Sequence, residues 1–98
     1  MTIADILSAG ESKAITAPKL AELLGVPERD IRRMIRAERL QGAPILSGRL
    51  GYYLPSSIQD LRRFSRSLNH RIVEIQKIAI EAERAVARAE NQMALEGF

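Results

Sequence analysis

Apolar positions along this chain recur first at short helical spacings, then in a brief strand-like alternation, and finally as one long heptad stripe. Thr2 stands where it can cap a short helix over residues 3–8, which ends near Gly10. Ala14 and Ile15 are extended in character and form one candidate short strand. Thr16 can cap a second helix, with Pro18 in its first turn where a missing N–H costs nothing. That helix runs to Leu24, Gly25 stops it, and Val26 returns to the core. Ala21 is small where two helices must cross. Pro27 opens a third helix over residues 28–41 and cannot cap it through a side chain. Glu28 or Asp30 is therefore expected to serve the N-terminal dipole, and Gly42 is a natural residue to follow the last turn. At about 100° per residue, Ile31, Met34 and Ile35 gather on one side of this third helix. Arg29, Arg32, Arg33 and Arg36 gather on the other, within an arc of about 100°.

Next come two short strands, residues 42–47 and 52–54, around a turn at residues 48–51. Two helices joined at Gly25 have the spacing of a helix-turn-helix, and a β-hairpin directly after them makes a winged helix. Tyr52 and Tyr53 fall on opposite faces of their strand, one toward the core and one on the surface. Pro55 ends the strand, and Ser56 with Gln59 forms a candidate capping box. No Pro or Gly follows until Gly97, so a helix of about 40 residues is expected, roughly 60 Å long. Ile58, Leu61, Phe64 and Leu68 are large enough to complete the core. Leu68, Ile72, Ile75, Ala79, Ala82, Val86, Ala89 and Met93 then alternate spacings of four and three, a heptad seam across residues 68–93. An apolar stripe of that kind needs a partner. A second copy is expected to cover it, in a parallel or antiparallel coiled coil, with a helical hairpin folded back on its own domain as the alternative. The fold class expected is mainly α with a small β-hairpin: a winged helix-turn-helix at 1–55 and a long coiled-coil helix at 56–98.

Charge sharpens this picture more than composition does. The net charge is only +3, but it is unevenly spread. Residues 29–71 hold ten Arg, no Lys and three acidic residues, whereas the segments on either side are each net negative. The positive block coincides with the third helix, the hairpin and the start of the last helix, where a winged helix meets phosphates. Arginine without lysine favours bidentate contact with guanine edges or phosphates. The competing reading is a solvated, partly self-paired face, because Glu28–Arg32 and Asp30–Arg33 are spaced to pair along the helix. With 46% apolar residues the chain can fill a compact core, and with no cysteine it has neither disulfides nor thiolate metal sites. It shows no membrane-length apolar run and no secretory start, so a cytoplasmic protein of a bacterial or phage-infected cell is expected.

The stretches AITAPKLAELLGVPERDIRRMI and GAPILSGRLGYYL resemble the winged helix-turn-helix DNA-binding domain of biotin-operon-repressor type. Such domains, joined to a long helix, are also found in small phage and prophage DNA-binding proteins. The resemblance covers residues 14–54. The biotin-binding enzymatic portion of that family has no counterpart here. The resemblance implies that Thr16 and Lys19 touch phosphate at the start of the second helix. It also implies that Glu28, Arg29, Arg32 and Arg33 face base edges in the major groove, with Arg36 nearer the backbone. Arg49, at the tip of the wing, would reach the minor groove or flanking phosphate. Pro27 stands where relatives place a hydroxyl, which removes one phosphate contact.

The partner implied is double-stranded DNA, and the function a sequence-specific dimeric transcription regulator. Its seam would set two recognition helices about 34–36 Å apart, one duplex turn. Two alternatives keep the same parts. One is a phage packaging or replication component that oligomerises through the long helix, as small terminase subunits do. The other is an interaction module whose basic face binds an acidic protein partner. An enzyme is not expected: His70 is the single histidine, and no paired carboxylates, metal-ligand spacing or phosphate-binding glycine loop accompany it. No cofactor and no metal are implied.

Overall fold

A computed structural model describes residues 1–95, with side chains through residue 94. The order is α1 (Ile3–Ile6), a 3₁₀ turn (Glu11–Lys13), α2 (Ala17–Leu24), α3 (Glu28–Leu40), β1 (Leu46–Gly48), β2 (Gly51–Tyr53) and α4 (Ile58–Leu95). The chain is mainly helical, with one two-stranded antiparallel hairpin and a long C-terminal helix. It divides into two compact units, Met1–Phe64 and the helical remainder from Ser65 onward.

In the first unit the core consists of Ile3 and Leu7, Ala17 and Leu20 of α2, Ile31 and Ile35 of α3, and Ile45 before β1. Leu46 is also buried, while Met34, Ala21, Val26 and Tyr52 close over the core from its edges. The 3.6-residue period of α3 thus buries the expected side. α2 ends at Gly25, whose left-handed φ of 67° lets its N–H reach back to the Ala21 carbonyl. α3 begins after Pro27 with no side-chain cap and ends at Leu40, one residue short of the expected 41, with Gln41 closing the last turn. Acidic Glu28 and Asp30 lie in its first turn, where the helix dipole favours them.

α1 is shorter than expected, ending at Ile6 with Leu7 already extended. Its N-terminus is nevertheless fully served. Thr2 and Asp5 form a capping box, and the Glu38 carboxylate accepts the N–H groups of Ile3 at 2.8 Å and Ala4 at 2.9 Å. Glu38→Ala would leave two donors without partners, so a loss of about 2–3 kcal/mol is expected. Urea unfolding checks this, and an unchanged midpoint would show that water replaces the carboxylate without cost.

The hairpin is displaced from the expected strands. Residues 42–45 make no ladder: Ala43 donates to the Glu38 carbonyl, Ile45 to that of Ala43, and Pro44 has no N–H to give. Pairing runs Leu46↔Tyr53, Ser47↔Tyr52 and Gly48↔Gly51, leaving Arg49 and Leu50 as a two-residue turn. Neither has positive φ; Gly51 takes the left-handed dihedral instead, at 124°. The extension expected at Ala14–Ile15 is a single bridge, in which Ile15 and Tyr52 exchange both backbone bonds at 2.9 and 2.8 Å. Leu54 makes a second, parallel bridge with Ala9.

Two expectations for α4 are corrected. Its cap is Ser57 with Asp60, not Ser56 with Gln59. Ser57 Oγ accepts the Asp60 N–H, and the Asp60 carboxylate accepts both the N–H and the hydroxyl of Ser56. Those bonds, with the Arg63 guanidinium, hold the Asp60 carboxyl below its ordinary pKa. Ile58, Leu61 and Leu68 do not complete the core. They are exposed, Ile58 at 61%, while the core is closed by Ile3, Leu7 and the residues of α2, α3 and the segment before β1. Of that set only Phe64 is half-buried.

Candidate nucleic-acid interface

Arg29, Arg32, Arg33 and Arg36 are all exposed, and they lie on α3 opposite the buried Ile31 and Ile35. The row is partly neutralised from within. Arg32 donates to Glu28 at 3.2 Å, and Arg33 stands 4.0 Å from Asp30. Both pairs are solvent-exposed and worth only tenths of a kcal/mol, so an incoming phosphate can replace either carboxylate. Among the described residues no ion pair engages Arg29 or Arg36. Glu28 is exposed beside the row and committed to Arg32.

The remaining candidates sit on other elements. Thr16 caps α2: its Oγ accepts the Lys19 N–H at 3.3 Å, which leaves the hydroxyl proton free to donate. Lys19 is exposed, 3.6 Å from Glu22. Arg49 is exposed at the hairpin turn. α3 brings together the four arginines with Glu28, and α2 carries Thr16 and Lys19 at its start.

One of the ten arginines in the basic block belongs to the interior. Arg39 is half-buried; its Nε donates to the Ile45 carbonyl at 2.8 Å and its Nη2 to Ser47 Oγ at 3.3 Å. Its guanidinium carbon lies 5.1 Å from the Phe64 ring centre and 6.0 Å from that of Tyr52, within reach of cation–π attraction. Arg39 therefore fastens α3 to the hairpin and does not add to the exposed row. The signal was present in the periodicity: Arg39 follows Ile35 by four residues and Glu38 follows Ile31 by seven, which puts both on the buried side.

Tyr53 is half-buried rather than open on the surface. Burial, then the charges of Glu11 and Asp60, raise its phenol above the ordinary pKa, keeping it neutral. Arg63 pairs with Asp60, whereas Arg62 and Arg66 are exposed.

Beyond Phe64 every described side chain of α4 through residue 94 is exposed, the whole seam from Leu68 to Met93 included. The described residues hold no cluster of acidic, histidine or cysteine side chains suited to a metal ion. They also include no helix long and apolar enough to cross a membrane. Compared with family models, with characterised proteins and with solved structures, the chain matches none of them.

Proposed function

We propose that residues 1–55 act as a winged helix-turn-helix that binds duplex DNA, with α3 in the major groove and residues 45–54 on flanking DNA. The observation that carries this is the exposed row Arg29, Arg32, Arg33 and Arg36 on the second of two helices joined by a tight glycine turn, with a hairpin following directly. Arginines at the N-terminal end of such a helix reach base edges, while Thr16, Lys19, Arg36 and Arg49 meet phosphate. The bare seam of α4 supports pairing with a second copy. A paired chain presents two arginine rows, which suits a pseudo-palindromic site and a regulator of transcription.

A second reading takes support from the Glu28–Arg32 and Asp30–Arg33 pairs. A face that already satisfies half of its own charge also suits an acidic protein surface. Light-scattering mass, measured with duplex binding across a salt series, separates the two. The DNA reading expects a dimer whose log affinity falls linearly with log salt, by about 0.9 per phosphate contacted. Folded protein with no duplex affinity at low salt would refute it and leave the protein partner. A ring of many subunits that still binds DNA would move the function to packaging or replication.

A further inference from the structure

We propose that α4 pairs antiparallel with a second copy of itself, in the register that centres both helices on Lys77. This rests on the paired-chain reading above and is independent of the DNA partner. Within the second unit the seam is graded. Leu68, Ile72 and Ile75 are large, whereas Ala79, Ala82 and Ala89 are small, with Val86 between. The side chains of Ile75 and Val86 are 63% and 57% exposed. On the far side of the helix, Lys77 pairs with Glu74 at 3.1 Å and Arg84 with Glu81 at 2.6 Å. The seam is thus the face left for a partner.

Three arrangements can be compared by the layers they create. A parallel pair stacks each residue on its own copy, so large meets large at Leu68, Ile72 and Ile75, and alanine meets alanine at Ala79, Ala82 and Ala89. The two helices would have to splay at one end or leave voids at the other, and interiors tolerate neither well. The antiparallel pair centred on Lys77 does the opposite. Ile72 meets the partner's Ala82, Ile75 meets the partner's Ala79, Leu68 meets the partner's Val86, and Ser65 meets the partner's Ala89. The Leu68–Val86, Ile72–Ala82 and Ile75–Ala79 layers each then hold one larger and one smaller side chain, and one interaxial distance serves residues 68–86. A slip of one heptad one way sets Ile72 against the partner's Ile75; the other way, Ala79 meets the partner's Ala82. The register is therefore specified by volume.

Charge agrees with packing. Residues 65–77 carry Arg66, Arg71 and Lys77 against Glu74, while residues 78–90 carry Glu81, Glu83 and Glu90 against Arg84 and Arg88. Antiparallel pairing lays the basic half over the acidic half, and parallel pairing lays like on like. It also puts the Asn69 amide beside the partner's Glu83, twice by symmetry. Such pairing sets the two copies of Ile58 about 57 Å apart along the axis, at 1.5 Å per residue.

The chain lacks cysteine, so Asn91→Cys, on the outer face of α4, accepts one spin label per chain. In the proposed register the two labels lie about 40 Å apart along the axis, and a dipolar distance near that value in a dimer of light-scattering mass supports it. A distance within about 20 Å, the width of two side-by-side helices with their side chains, would mean parallel pairing and overturn it. A shift of about 10 Å either way would mean a slipped heptad and overturn the register. A monomer, or a trimer or larger assembly, also overturns it. Duplex binding measured on the same sample keeps the readings apart: a monomer that binds DNA removes the pairing alone, and an antiparallel dimer that does not removes the DNA reading alone.

Discussion

Duplex affinity should fall at least a hundredfold when Arg29, Arg33 and Arg36 are replaced together by alanine. Each arginine that meets a base edge or phosphate is worth about 1–3 kcal/mol, and about 1.4 kcal/mol is a tenfold change in affinity. Two of the three carry no ion pair among the described residues, and the third has only a 4.0 Å contact with Asp30. Little intramolecular energy is therefore released to offset the loss. All three side chains are exposed, so the fold should keep its stability to within about 0.5 kcal/mol per site. Fluorescence anisotropy with a labelled duplex at fixed salt reads the affinity, and a thermal melt confirms the fold. The slope of log affinity against log salt should also become shallower, by about 0.9 for each lost phosphate contact. An affinity within twofold of the parent would remove this face of α3 from the DNA interface. Arg39 is a useful contrast, since its loss would release the hairpin from α3 and lower stability first.

Gly51→Ala is expected to remove about 3–5 kcal/mol, whereas Gly48→Ala, its cross-strand neighbour, should stay within about 1 kcal/mol. Gly51 has a φ of 124°, where a side chain is strained. A Cβ there would also lie 2.5 Å from the Ile15 carbonyl oxygen and 2.8 Å from the Thr16 nitrogen, both backbone. Relief requires the strand to back away from Ile15, which sacrifices the two Ile15–Tyr52 bonds at about 1 kcal/mol each. At Gly48 the nearest atom to an added Cβ is Glu11 Oε1 at 2.9 Å, the end of a side chain that can swing aside. A unit of this size has a total stability of only several kcal/mol, so the first variant should be largely unfolded at modest urea and the second should not. Equal urea midpoints for the two variants would mean that the close approach to Ile15 is absent.

What was legible beforehand followed from periodicity and punctuation. The buried side of α3 was visible in Ile31, Met34 and Ile35, the end of α2 in Gly25, and the length of α4 in the absence of any Pro or Gly before its end. The arginine row was visible for the same reason, being the complement of the buried side. What stayed hidden depends on contacts between residues distant in the chain. Periodicity puts Glu38 and Arg39 on the buried side of α3, but not the groups they meet there, Ile3 and Ala4 for the one and Ile45 and Phe64 for the other. Ile58 and Leu61 look like core by size and spacing, yet both are exposed, and the core is made by Ile3, Leu7 and other residues earlier in the chain. The strands at residues 42–54 were misplaced because Ile and Tyr content marks extended chain, whereas register depends on where Gly51 must turn.

Glu38 also dictates an order of events. A helix of four residues has no independent existence in water, because nucleation costs more than one turn returns. Two of the donors at the start of α1 end on a carboxylate 34 and 35 residues further along the chain. That carboxylate is in place only once α3 has wound nearly to its last turn. α1 is therefore expected to form only after α3: when the ribosome releases this segment, it waits for a helix made from residues synthesised later.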